Sequence, residues 1–126
     1  MSLGLNQDLN TGDLLAGVGR TTSQNTADLL NSSFRGVKVW VVTTAIGTGS
    51  ITVTIQGKDP GSGTYTTLLA SAAIVTNTTG VYTVYPGLPA TANVSANDIL
   101  PRQWRIAVTA NNANAATYSI GASLVV

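Results

Sequence analysis

From Gly36 to Thr44 the chain reads as one strand with apolar side chains on both faces. Val37, Val39 and Val41 point one way, while Lys38, Trp40 and Val42 point the other. A strand with one face in water carries its large apolar residues on a single parity. Trp40 and Val42 therefore need a cover of their own: a loop, an N-terminal arm or a neighbouring subunit. Beyond Gly47-Thr48-Gly49, Ile51, Val53 and Ile55 alternate with Thr52, Thr54 and Gln56, which is the pattern of a half-buried strand. Two β-branched runs about a glycine-rich break predict a hairpin spanning residues 34–56.

The same alternation recurs downstream. Tyr65–Leu69 and Val81–Tyr85 read as strands, with Ala72–Val75 as a short continuation between them. Trp104, Ile106 and Val108 share one face of a strand over 103–110. Tyr118, Ile120, Ala122 and Leu124 share the core face of a closing strand over 117–126. Lys58-Asp59-Pro60-Gly61-Ser62-Gly63 is a turn by composition, and Asn111-Asn112-Ala113-Asn114 is expected to be the last hairpin loop. Residues 87–100 form a loop of small residues with a helical turn expected near Ala92–Ala96. Arg20–Asp28 is a polar candidate for a first edge strand. Strands at short intervals with Gly, Asn and Pro turns between them predict an all-β fold, an antiparallel β-sandwich of the jelly-roll or Ig-like kind with about seven or eight strands.

The first nineteen residues differ from the rest. Leu3, Leu5, Leu9, Leu14 and Leu15 are interspersed with Gly, Asn and Asp, and no aromatic residue occurs. Glycines 12, 17 and 19 lie too close to Asp13–Ala16 for a stable helix there. The expected organisation is an extended N-terminal arm over 1–19 and a β-sandwich over 20–126. A purely solvated tail has little use for five leucines, so these are candidate contact residues, together with Trp40 and Val42. Removing the arm is expected to leave the sandwich folded.

A chain of 126 residues is one domain's worth. It has no cysteine and no histidine, and its five acidic residues are all aspartates. Disulfides and thiolate metal sites are thus excluded. Charged residues make up 9% of the chain and the net charge is +1. Arg20, Arg35, Lys38, Lys58, Arg102 and Arg105 are dispersed, whereas a nucleic-acid surface clusters its cations along the phosphates. So little charge suits a protein packed against others, and a homo-oligomer is expected. No secretion signal is legible at the start, and no apolar run approaches the roughly 20 residues of a membrane-spanning helix. The sequons at Asn31, Asn77 and Asn93 read as chance matches in a chain rich in Asn and Thr.

Catalytic equipment is not legible. No histidine stands ready as a base for the many serines and threonines, and both lysines sit near strand ends or turns. Asp8, Asp13, Asp28, Asp59 and Asp98 fall in the arm or in expected loops, where a carboxylate more often forms a turn than a general acid/base pair. One aspartate makes the 59–63 loop a poor calcium site. No cofactor or metal is expected, and the chain does not read as an enzyme. Trp40, Trp104, Tyr82 and Tyr118 could in principle furnish a sugar-binding platform, but their strand periodicity favours core or interface packing.

Several stretches together resemble small virion proteins of tailed bacteriophages, of the capsid decoration (cement) type. They are Phe34-Arg35-Gly36-Val37, Ile55-Gln56-Gly57-Lys58-Asp59-Pro60 with Ser62-Gly63 and Tyr65, Leu68-Leu69-Ala70-Ser71-Ala72, Val84-Tyr85-Pro86-Gly87, and Leu100-Pro101-Arg102 with Trp104-Arg105. The resemblance covers about residues 20–126 and rests on turn and strand signatures. It implies a β-rich, often trimeric protein on the outer surface of the capsid, made in the host cytoplasm and binding the major capsid protein at local three-fold positions. A tail, neck or fibre-associated β-domain and a carbohydrate-binding or adhesion module are the alternatives.

Overall fold

The computed structural model describes residues 13–126, and among these every regular element is a strand. Ten strands form: β1 (Asp13–Arg20), β2 (Gln24–Asn25), β3 (Leu29–Leu30), β4 (Gly36–Ala45), β5 (Ile51–Lys58), β6 (Tyr65–Ala70), β7 (Thr79–Val84), β8 (Ser95–Ala96), β9 (Gln103–Ala110) and β10 (Ala116–Val125). They make two sheets. The first has the order β1-β10-β4-β7-β8; the second has β2-β9-β5-β6, with β3 also paired to β9.

The core follows from the alternation. Val37, Val39 and Val41 of β4 and Tyr118, Ile120, Ala122 and Leu124 of β10 are buried from the first sheet. Ile51, Val53 and Ile55 of β5 and Trp104, Ile106 and Val108 of β9 are buried from the second, and all join one hydrophobic cluster. Apart from Gly36 at the start of β4, each of these strands shows buried residues on one parity, as their sequences require.

The Gly47-Thr48-Gly49 break is not a hairpin. β4 pairs with β10 and β7, whereas β5 pairs with β9 and β6, so the chain crosses from one sheet to the other. The reason is the apolar face on each arm. A hairpin would set the Val37-Val39-Val41 and Ile51-Val53-Ile55 rows side by side in one sheet, whereas the crossover puts them in opposite sheets that share one core. Gly47 takes a positive φ of 53°, and a side chain at Gly49 would meet the carbonyl oxygens of Ala115 and Ile46 at 2.9 Å. The 111–114 loop is likewise a crossover, from β9 to β10. The two crossovers are pinned together: the Asn112 side-chain amide donates to the Thr48 carbonyl at 3.0 Å, and the Asn111 backbone N–H donates to that of Ser50 at 2.9 Å. The Lys58–Tyr65 connection is a true hairpin, because β5 and β6 pair directly.

Three further expectations are corrected. First, the helical turn near Ala92–Ala96 is replaced by β8, which runs parallel to β7, so the first sheet is mixed. Thr83 and Tyr85 donate backbone N–H groups to the carbonyls of Val94 and Ala96, and these bonds hold the segment extended. Second, the polar edge strand expected over 20–28 is broken. β2 and β3 pair with successive parts of β9, and Thr26 bridges the gap: its N–H donates to the Ile106 carbonyl at 2.9 Å and its hydroxyl accepts from the Ile106 N–H at 3.0 Å. Third, the arm expected over 1–19 has its last seven residues inside the first sheet. β1 pairs antiparallel with β10 from Asp13↔Gly121 to Arg20↔Ala116, with two register shifts. Leu14 and Leu15 pack against the core, which is the gain that draws the segment into the sheet.

Candidate interaction surfaces

The outward parity of β4 crosses the middle of the first sheet. Trp40 lies between Gly121 of β10 and Val81 of β7, and Val42 lies between Ser119 and Thr79. Trp40 is 36% exposed and Val81 is 37% exposed, while Val42 is half-buried. Lys38 places its ammonium 5.8 Å from the centre of the Trp40 ring. Neighbouring strands supply small residues, and Gly121 has no side chain beside the indole. Trp40 and Val42 are therefore brought together on one outward patch, as their parity predicts.

Leu14 and Leu15 are not on that patch. They are half-buried against the core of their own chain. The candidates Leu3, Leu5 and Leu9 lie outside the described residues. β1 is fastened by Arg20, whose guanidinium donates to the carbonyls of Ala16 at 2.6 Å and Tyr118 at 2.9 Å and lies 4.7 Å from the Tyr118 ring centre.

The outer face of the second sheet carries a cluster that sequence reading missed. Arg105 of β9 lies across from Gln56 of β5, and its Nε donates to the Gln56 amide oxygen at 2.8 Å. Its guanidinium carbon sits 3.5 Å from the centre of the Tyr65 ring. The Tyr65 hydroxyl donates to Asp28 Oδ1, and Lys58 Nζ donates to Asp28 Oδ2 at 2.6 Å. The Lys58 hydrogen bond, followed by that of Tyr65, holds the Asp28 carboxyl below its usual value. In return, the Asp28 hydrogen bond raises the Lys58 ammonium, so Lys58 stays protonated at neutral pH and is no general base. The signal available in the sequence was the outward parity of Gln56, Lys58 and Arg105. Nothing marked Asp28 as their partner.

The Asp59 loop is a hydrogen-bonded turn. Its carboxylate accepts from the Ser62 hydroxyl at 2.6 Å and from the backbone N–H of Gly61 at 3.0 Å, and these bonds lower its pKa. Asp98 accepts from the Ile99 N–H at 2.8 Å. Of the aromatic residues considered for sugar stacking, Trp104 and Tyr118 are buried and Tyr82 is half-buried. Asn31 is buried with both ends of its amide hydrogen-bonded, which leaves no accessible acceptor at the first sequon. Neither a protein-family model nor a curated protein matches the chain.

Proposed function

We propose that the two sheets form a β-sandwich of jelly-roll or Ig-like type preceded by a short arm, and that the protein is a non-enzymatic structural component of a phage virion. In this reading it is a capsid decoration (cement) protein on the outer shell, an oligomer, most simply a trimer, that binds the major capsid protein. The observation that carries the reading is the outward Trp40–Val42–Val81 patch on a charge-poor sheet. Apolar surface of this kind gains free energy when a flat partner covers it. A protein that binds only the assembled shell stabilises it by linkage, and three linked copies add avidity. Leu3, Leu5 and Leu9 would add apolar contacts from the arm.

The test mixes purified protein with capsids lacking it. With 36% of Trp40 exposed, out of a side chain of roughly 250 Å², about 90 Å² remains for a partner to cover. At ~25 cal/mol/Å² this is about 2 kcal/mol per copy, or some thirtyfold in affinity. The wild type should add ordered density to the shell. Trp40→Asp should keep its circular dichroism and urea midpoint yet sediment as a smaller species and leave the shell bare. Equal decoration by Trp40→Asp, or wild-type protein that ignores heads and cofractionates with tails, would sink the reading.

A further inference from the structure

We propose that β1 is exchanged between copies of this chain: in the oligomer, the β1 of one copy lies along β10 of the next. The inference rests on the oligomer of the reading above and not on the shell. β1 is the edge of the first sheet, with β10 as its one strand partner among the described residues. It joins the body through Thr21-Thr22-Ser23, all three exposed, after which the chain enters β2 in the opposite sheet. Ser23 belongs to the body, because its hydroxyl accepts the Ala110 N–H at 2.9 Å. The pivot is therefore Thr21-Thr22. Three Cα steps from Arg20 to Ser23 reach about 11 Å at full stretch, and packed sheets stand about 10 Å apart. The hinge has little slack in the closed chain, and short, strained hinges are the ones that open into exchange.

The occupant is settled by identity. Any second copy carries the same segment, so every contact that β1 makes with its own β10 is open to a neighbour's β1. These are the antiparallel ladder from Asp13↔Gly121 to Arg20↔Ala116, the packing of Leu14 and Leu15, and the Arg20 guanidinium on the Tyr118 carbonyl at 2.9 Å and over the Tyr118 ring. Release of β1 costs little beside that of any strand in the middle of a sheet. Ala16, Gly17, Val18 and Gly19 are exposed, which leaves Leu14 and Leu15 as its apolar hold, and two register shifts interrupt its pairing. Closed and exchanged forms make the same contacts within the sandwich. The exchanged form gains what the hinge relaxes and what the joined copies cover anew. Trp40, on β4 two strands from β1, is apolar surface that such a joint can cover, which is why Trp40→Asp should also release the copies.

The chain has no cysteine, so introduced thiols report only their own placement. Gly19 and Thr117 are cross-strand neighbours on β1 and β10, and a Cβ at Gly19 would lie 3.4 Å from Thr117 Oγ1, within disulfide reach. The full-length Gly19→Cys/Thr117→Cys double variant is oxidised as assembled and run on a denaturing, non-reducing gel. It should run as covalent multiples of the chain. When isotopically labelled and unlabelled protein are refolded together, mass spectrometry should find residues 19 and 117 linked between labelled and unlabelled copies. A short glycine-serine insertion after Thr22 in the wild type slackens the hinge, and should shift sedimentation from oligomer toward monomer. An oligomer whose double variant runs as a single, internally linked chain would overturn the exchange and leave the virion reading standing. Covalent multiples from a protein that ignores capsids would uphold the exchange and overturn that reading instead. A wild type that sediments as a monomer, or an oligomer unchanged by the longer hinge, would also overturn the exchange.

Discussion

Asn31→Ala should cost about 3 kcal/mol of stability although it removes no apolar packing. Asn31 follows β3 of the second sheet, Phe34 precedes β4 of the first, and Leu100 leads toward β9. The Asn31 amide ties these segments: Nδ2 donates to the carbonyls of Phe34 at 2.7 Å and Leu100 at 3.0 Å, and Oδ1 accepts from the Phe34 N–H at 2.9 Å. The residue is only 7% exposed, so water does not readily replace what is lost. Three net hydrogen bonds at about 1 kcal/mol each give the estimate, and any orphaned buried group raises it. Equilibrium urea unfolding followed by the fluorescence of buried Trp104 reads the loss as a midpoint lower by about 1–2 M at unchanged slope. Asn31→Asp sharpens the test. It keeps the shape but turns a carboxylate oxygen toward two carbonyls, so it should destabilise at least as much as the alanine. A loss below about 1 kcal/mol for Asn31→Ala, or an aspartate variant milder than the alanine, would show that the amide is not the tie between the sheets.

Asp28→Asn should flatten the pH dependence of the urea midpoint. Asp28 has a folded value lowered from 3.8 and Lys58 one raised from 10.5, so their mutual stabilisation is present between those values. It is lost as pH falls through the lowered Asp28 value or rises through the raised Lys58 value; parallel curves for variant and wild type would refute the pairing. Tyr118→Phe should change stability by no more than about 1 kcal/mol, since the buried hydroxyl makes no hydrogen bond of good geometry among the described residues and has only the nearby Arg20 guanidinium as a polar neighbour. Burial holds the phenol above 10.0 against the opposing pull of Arg20, so wild type should also lose stability as pH rises past that value, where the unfolded chain ionises first. Thermal melts that show Tyr118→Phe destabilised by more than 1 kcal/mol would mean the hydroxyl is bonded.

Which way a residue faces was legible; which strand it sits beside was not. The valines of β4 and the isoleucines of β5 alternate as their burial does, and the Asp59 turn closes the β5–β6 hairpin as its composition implies. Alternation fixes a face, but a three-residue glycine break can end in a hairpin or in a crossover to the opposite sheet. The better clue was that both arms carry an uninterrupted apolar row, which two strands meet best across a core. Leu14 and Leu15 misled for a local reason. They are adjacent, which breaks the period of two, and the structure absorbs this with register shifts on either side of Leu15. β8 has only two residues and is held by backbone bonds, so side-chain pattern carries no trace of it. The outward placement of Trp40 and Val42 was legible because excess apolar parity is visible along one strand. The Arg105 cluster draws on four separate segments and is invisible until the sheet is assembled.

The crossovers also explain why the two candidate surfaces differ in kind. With β4, β7 and β10 in one sheet and β5, β6 and β9 in the other, the two outer faces are built from different segments and can diverge without disturbing a common core. On the first sheet the outward positions around Trp40 are Val, Ser, Gly and Thr, with Lys38 as the nearby charge, so a contact there works through covered area and is little affected by salt. On the second, Arg105 is an oriented charge, held by its stack on Tyr65 and its bond to Gln56, and its field is screened within about 10 Å at moderate ionic strength. The shared β-branched core fixes the distance between those surfaces, because close-packed interiors yield little to strain.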